Sequence, residues 1–285
     1  MMDYKLLNDN IKIPIIWLGT WGIGGFKQAD TQSDEQSIQT LKTAIDLGYT
    51  HIDTAEIYGN GHTEELIGLA IKGFTRSDLT ITSKVSKDNL WYNDVIDSCK
   101  KSLDRLQTDY IDIYLAHCPN NKIPLEETMQ AFDELIEQRL IRFIGLSNFS
   151  VEQMMEAQKY SKNKVVVNQI PYNLATRNHD HIGNCDGMEL NIIPYCQKND
   201  ILIVAYRPIE RWFLLQPNEL LDALSKKYSK SKIQIVLNRL VSKKNVITIP
   251  KSINPDHLKE NLGAIWWHLS GSDILLLDKL DFWNL

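Results

Sequence analysis

The feature that most constrains this chain is a recurring pattern. Short apolar runs rich in β-branched residues return at intervals of roughly 30 residues, with amphipathic stretches between them. Eight such runs predict strands over 15–18, 50–53, 79–84, 110–116, 142–146, 165–169, 201–205 and 246–249. Between them, "DEQSIQTLKTAIDLG" sets Ile38, Leu41, Ala44, Ile45 and Leu47 at helical spacing, and "EETMQAFDELIEQRL" does the same with Met129, Phe132, Leu135 and Ile136. Ser150 ahead of "VEQMMEAQKY", with Gln153 three residues on, has the form of a capping box. Strand, helix and strand in succession call for a parallel sheet, because parallel neighbours need a crossover. Eight units fit a closed (β/α)8 TIM barrel, with an open doubly wound sheet as the rival. No linker or low-complexity tract divides the chain, so one domain over 1–285 is expected. Its 43% apolar content can fill a core of that size.

Charge and cysteine usage narrow the function. Net charge is -5, from 31 basic against 36 acidic residues, and no long basic run appears. Nucleic acid and anionic membrane surfaces are therefore not expected as partners. No apolar run reaches the roughly 18 residues of a membrane helix. The opening "MMDYKLLNDNIKIP" lacks the form of a signal peptide. Cys99, Cys118, Cys185 and Cys196 show no CxxC spacing and read as reduced thiols of a cytoplasmic protein. A monomer or weak oligomer is the default.

In a barrel of this kind the loops after the strands build the site. Asp53 ends the second predicted strand, and Tyr58 lies in its loop. Lys84 ends the third, and His117 follows the fourth. Asp53, Lys84 and His117 are 31 and 33 residues apart, one repeat each time, so all three should meet on one rim. Singly, each has a plainer reading: a helix cap, a solvated strand end, a core histidine, an interface aromatic. Together they suggest chemistry. A nearby ammonium makes a phenol give up its proton more readily, a carboxylate holds that ammonium, and an imidazole can orient a carbonyl oxygen. An acid aimed at a carbonyl suits reduction, and the hydride must then come from a cofactor.

"HIDTAEIYGNGHTEELIG", "LDRLQTDYIDIYLAHCP", "LIRFIGLSNFS" and "IPKSINPDHLKEN" resemble motifs of the aldo-keto reductases, in order from "LGTW" to "KEN". The resemblance implies a (β/α)8 barrel that binds NADPH without a Rossmann fold and reduces aldehydes and ketones. It implies Tyr58 as proton donor, Lys84 and Asp53 as the pair that tunes it, and His117 as the group that orients substrate. It further implies that Ser147, Asn148 and Gln169 hold the nicotinamide carboxamide and that Tyr206 stacks on its ring. Thr20, Trp21, Arg207, Pro208, Ile209 and Ile253 complete the cofactor wall. By the same resemblance Lys251, Ser252 and Asn254 would face the 2′-phosphate, with Glu260 and Asn261 on the adenine. The plainer readings are loop caps for Asn148 and Gln169, a packing aromatic for Tyr206, and a capped basic turn for "PKSIN". Two alternatives stay open: a sugar or polyol dehydrogenase running in reverse, and a regulatory subunit that binds cofactor without turnover.

Three positions depart from the family pattern. His257 stands where an Arg is usual, so NADPH is expected to be preferred less strongly, with NADH a weaker second. An imidazole is charged only in mild acid, so NADPH should bind more tightly there; a flat affinity in titrations from about pH 5.5 to 8 rejects that role. Arg207 replaces a serine near the pyrophosphate, to bind phosphate or to point away. Cys118 replaces a tryptophan after His117, which should open a substrate pocket lined also by Trp21, Tyr58, His117 and Tyr92. Among "AIWWHLS" and "DKLDFWNL", Trp266, Trp267, Phe282 and Trp283 either pack the last helix or reach the substrate. Tyr160/Lys164 and Tyr228/Lys232 have the Tyr-x-x-x-Lys spacing of short-chain dehydrogenases but lack a Gly-rich fingerprint; "GIGGF" ends in Lys27 where that motif needs glycine. His179, His181 and Cys185 lack further ligands at metal spacing, so no metal is expected.

Overall fold

The computed structural model describes residues 4–7, 11–177 and 185–280. The chain opens with an antiparallel hairpin, β1 (Tyr4–Leu7) and β2 (Ile11–Pro14). Eight parallel strands follow: β3 (Leu18–Gly19), β4 (His51–Asp53), β5 (Thr80–Val85), β6 (Ile111–Ala116), β7 (Ile141–Ser147), β8 (Val165–Ile170), β9 (Leu202–Ala205) and β10 (Val246–Thr248). They pair in sequence order from β3 to β10. The ring closes where Ile16 bridges Thr248 in parallel: Trp17 donates its N–H to Thr248 O at 2.9 Å, and Gly19 donates to Pro250 O at 3.1 Å. This is the (β/α)8 barrel. All eight apolar runs became strands, with ends moved by one or two residues except the first. There Ile15 and Ile16 lie in the seam, and β3 proper begins at Leu18.

Helices cover the ring. They are α1 (Asp34–Asp46), α2 (His62–Ala70), α3 (Tyr92–Leu106), α4 (Leu125–Glu137), α5 (Val151–Tyr160), α6 (Ile193–Lys198), α7 (Glu219–Tyr228), α8 (Lys232–Ser242), α9 (Pro255–Leu262) and α10 (Gly271–Asp278). In α1, Leu41, Ala44 and Ile45 are buried; in α4, Met129, Phe132 and Leu135 are. The capping box forms as the sequence suggests, with Gln153 N–H on Ser150 Oγ at 3.3 Å and Ser150 N–H on Gln153 Oε1 at 3.0 Å. Ser231 and Gln234 repeat it at the start of α8.

The hairpin was not anticipated. Its strands have four residues each, too short for a period to register, and a lone hairpin is marginal in water. Docking stabilises it: Leu7 and Ile13 are buried, and Lys5 Nζ donates to Val241 O at 2.8 Å and to Val246 O at 2.5 Å. Val246 starts β10, so the hairpin lies at the end of the barrel where the strands begin.

Arg239, fully buried in α8, anchors the C-terminal helix. It donates to Asp278 of α10, to Glu189 Oε1 at 2.7 Å and to the Tyr172 hydroxyl at 2.8 Å. Trp267 packs on Tyr228, with ring centroids 5.4 Å apart. Phe282, Trp283, His179 and His181 lie outside the described residues. No helix among the described residues is long and apolar enough to cross a membrane.

His62 clips the starts of two helices together. Its Nε2 meets Asp34 Oδ1 of α1 and its Nδ1 meets Glu65 Oε2 of α2, both at 2.8 Å. Burial works against the charged ring, but the two carboxylates outweigh it and raise its pKa above the ordinary histidine value. A raised folded-state pKa gives stability that is complete below about pH 6.5 and fades as pH rises through the folded value. Thermal melts should therefore show His62→Gln costing more at pH 6 than at pH 9. Equal losses at both would mean that the ring is held as a neutral group.

Candidate active site

The C-terminal ends of the strands open into a cleft of about 630 Å³. Its chemistry is set by where each strand stops. β4 ends at Asp53, whose carbonyl accepts from both the Thr20 hydroxyl at 2.8 Å and the Thr20 N–H at 3.2 Å. β5 carries Lys84 one residue before its end. The burial of this lysine is complete, and its ammonium donates to Asp53 Oδ1 and Thr54 O, each at 2.6 Å. The Tyr58 hydroxyl lies 3.3 Å from the same ammonium. Tyr58 is fixed by a short 3-10 turn, Tyr58–Gly61, where Gly59 and Gly61 take positive φ angles of 56° and 96°. A Cβ on Gly59 would stand 2.6 Å from Gly24 O, so the turn needs glycine on both counts. His117, just past β6, meets the Tyr58 ring edge-on, with centroids 5.8 Å apart, and Trp21 does so from the other loop at 4.8 Å.

Burial and charge act on these groups in opposite senses. Burial pushes the Tyr58 phenol upward; Lys84 pulls it down and Asp53 adds to the rise, so the net direction is up. Lys84 acts in the expected sense, but burial outweighs it, so the expected net lowering of the phenol is reversed. With Asp53 2.6 Å from Lys84, the pair presents little net charge to the hydroxyl, and desolvation prevails. Lys84 is itself disfavoured by burial, yet Asp53 and Tyr58 raise it, so it stays an ammonium. Burial, then Lys84, pushes His117 down to about 3, leaving a neutral imidazole. His117 Nδ1 is buried with no hydrogen-bond partner among the described residues.

A second set of polar groups flanks the first. Asn148, at a φ of 64°, turns the chain after β7; its amide donates to His117 O at 3.0 Å and its Oδ1 accepts from the Tyr206 hydroxyl at 2.9 Å. Gln169 of β8 donates from Nε2 to Asp53 Oδ2 at 2.7 Å. Several groups in the cleft, His117 among them, have unused capacity among the described residues, and three of these bear on a cofactor. They are the Ser147 hydroxyl proton, Gln169 Oε1 and the Lys251 ammonium, the last pulled down by partial burial with no acid beside it. A spare donor beside a spare acceptor matches a carboxamide, and an unanswered ammonium matches a phosphate. The donor set fits a nicotinamide dinucleotide.

Thr20, Trp21, Asp53, Tyr58, His117, Cys118, Ser147, Asn148, Gln169, Tyr206 to Ile209, Lys251 to Asn254, His257 and Asn261 all line this one cleft. Lys84 sits beneath it. Two expected residues do not face it. Tyr92 opens α3 and takes a position against the core with its N–H near Glu127, and Glu260 of α9 is not among the lining residues, whereas Asn261 is. At the start of α9, the Ser252 hydroxyl turns back on Asn254, and Asn254 Oδ1 caps Asp256 N–H at 2.8 Å, so two of the expected phosphate ligands are engaged locally. Trp266 and Trp267 are not on the wall. Gly19, Ile57, Ile233, Ile249 and Pro250 are, and were missed. Ile57 and Ile249 adjoin motif residues and were within reach. Ile233, from the first turn of α8, has no local signal.

Residues 15–281 match the aldo/keto reductase family. Methylglyoxal reductase YeaE of Escherichia coli is 31% identical over 98% of this chain and 95% of its own length. Glyoxal reductase of Bacillus subtilis is 34% identical over 100% and 94%. Among solved structures, a thermostable aldo-keto reductase in complex with the inhibitor epalrestat superposes with a TM-score of 0.89 at 46% identity, covering 97% of this chain and 99% of its own. A Klebsiella pneumoniae aldo-keto reductase in complex with NADPH gives 0.87 at 30%, covering 98% and 95%. A match that runs from the barrel seam to the C-terminal helix, on strands that deliver these side chains to one cleft, makes this chain a member of the aldo/keto reductase family.

Proposed function

We propose that Tyr58 is the general acid of an NADPH-dependent carbonyl reduction carried out by this chain as one (β/α)8 domain. Members of the family transfer hydride from NADPH to carbonyl substrates, and this protein is an oxidoreductase of that kind. The observation that carries the assignment of roles is the Tyr58 hydroxyl 3.3 Å from a fully buried ammonium at the floor of the cleft. When bound, NADPH supplies the hydride from C4 of its dihydronicotinamide ring. Ser147 and Gln169 present the donor and acceptor that would hold its carboxamide, and Lys251 the charge for a phosphate. Tyr58 gives its proton to the carbonyl oxygen as the carbon gains hydride, so an aldehyde becomes a primary alcohol and a ketone a secondary one. Lys84 stabilises the phenolate left behind, and Asp53 holds Lys84 in place. Neutral His117 orients the carbonyl by a hydrogen bond without competing for the proton.

The wall beside Tyr58 is formed by Trp21, Ile57 and Cys118, which suits small uncharged carbonyls. The two bacterial relatives are named for methylglyoxal and glyoxal, and 2-oxoaldehydes are accordingly the first substrates to try. Loss of NADPH absorbance against a panel of aldehydes, ketones and keto sugars tests the reading, with alcohols and NADP⁺ for the reverse direction. Tight NADPH binding without turnover of any of them would leave a cofactor-binding subunit instead.

A further inference from the structure

β4 and β8 stand on opposite sides of the eight-strand ring, yet their side chains meet over its axis. Gln169 Nε2 donates to Asp53 Oδ2 at 2.7 Å, with both residues almost fully buried. The other oxygen of Asp53 is taken by Lys84 at 2.6 Å. The far end of the glutamine amide, Oε1, meets no donor among the described residues, and Gln169 lines the cleft. One side chain thus touches the acid–base group with its nitrogen and leaves its oxygen for whatever occupies the cleft.

We propose that Gln169 is a positioning residue for proton transfer: by holding the second oxygen of Asp53 it fixes how much carboxylate charge acts on Lys84 and Tyr58, and so sets how readily Tyr58 releases its proton. The inference rests on the functional reading above. A hydrogen bond to a carboxylate is stronger than one between neutral groups, and it draws negative charge toward its donor. In a buried site that redistribution is felt by groups a few ångströms away. The charged or titratable groups facing the Tyr58 hydroxyl are Asp53 from β4, Lys84 from β5, and His117 and Cys118 after β6. Ser147, Asn148 and Gln169, from β7 and β8, are neutral. Without the Gln169 donor, Asp53 exerts more of its negative potential on the phenol, and Tyr58 holds its proton harder.

The test is kcat for alcohol oxidation against pH at saturating NADP⁺, where Tyr58 must be deprotonated and the midpoint reports its ionisation. Gln169→Met keeps the side-chain length and removes the donor. Ser147→Ala is the control, since it removes a cleft hydroxyl that touches neither Asp53 nor Lys84. Both should weaken NADPH binding several-fold. Only Gln169→Met should move the midpoint, upward by about half a unit or more. Gln169→Glu, nearly isosteric, places a second carboxyl beside Asp53 and should move it further. Melting temperatures confirm that each variant is folded. An unmoved midpoint in both Gln169 variants, with wild-type binding and turnover intact, overturns the proposal alone. A wild-type protein that does not bind NADPH overturns the underlying reading and the proposal with it.

Discussion

Tyr58→Phe should lower kcat for carbonyl reduction by about two to four orders of magnitude while leaving NADPH affinity within about a factor of two. The change deletes one oxygen. Lys84 keeps its bonds to Asp53 and Thr54, and Gln169 keeps its bond to Asp53, so the floor of the cleft stays built. Only the proposed proton donor is gone. His117 cannot replace it, because an imidazole pushed down to about 3 carries no proton to spare at neutral pH. Because the phenol is displaced upward, wild-type reduction should run level through neutral pH and decline only in alkali as Tyr58 ionises. Stopped-flow single turnovers and fluorescence titration of NADPH separate the two quantities. A variant that loses NADPH binding, rather than chemistry, would mean that the cofactor sits elsewhere.

Lys84→Met should be the most destabilising single change in the site. Asp53 would be left buried with Gln169 as its side-chain partner, and removing one member of a buried pair costs about 3–5 kcal/mol. At roughly 2–4 °C per kcal/mol for chains of this size class, the melting temperature should fall by several degrees or more. Adding Asp53→Asn to the same variant removes the orphaned charge and should restore part of the loss, a coupling that a double-mutant cycle measures directly. If the two single changes and the double change simply add, the pair is not coupled, and the burial of Lys84 has another basis.

The architecture was legible because burial on both faces of parallel strands writes continuous apolar runs, and eight of them recur. The rim was legible for a related reason: when the spacing equals the repeat, Asp53, Lys84 and His117 come to adjacent strand ends. The structure gathers all three around Tyr58. What escaped the sequence depends on distances through space. The meeting of Gln169 with Asp53 follows from the width of the ring and from nothing near either residue. The direction of the Tyr58 shift depends on how deeply the phenol is buried, which spacing cannot reveal. Tyr92, expected in the substrate pocket, instead opens α3 and packs against the core, an orientation that its place in the sequence does not reveal. The hairpin under the barrel escaped because its stability comes from the surface it docks on.

The seam between Ile16 and Thr248 joins the first strand of the ring to the last, so its two segments leave the ribosome far apart in time. Until the later one emerges, the nascent chain carries an open sheet with one side of β3 unpaired, an edge of the kind that invites misassociation. Trp21 and Tyr58 are made before most of the ring, whereas the stretch from Lys251 to Asn261 follows its last strand. A dinucleotide bound as proposed would therefore not rescue a half-made polypeptide; its protection against proteolysis would begin only once translation has delivered the last βα unit of the barrel.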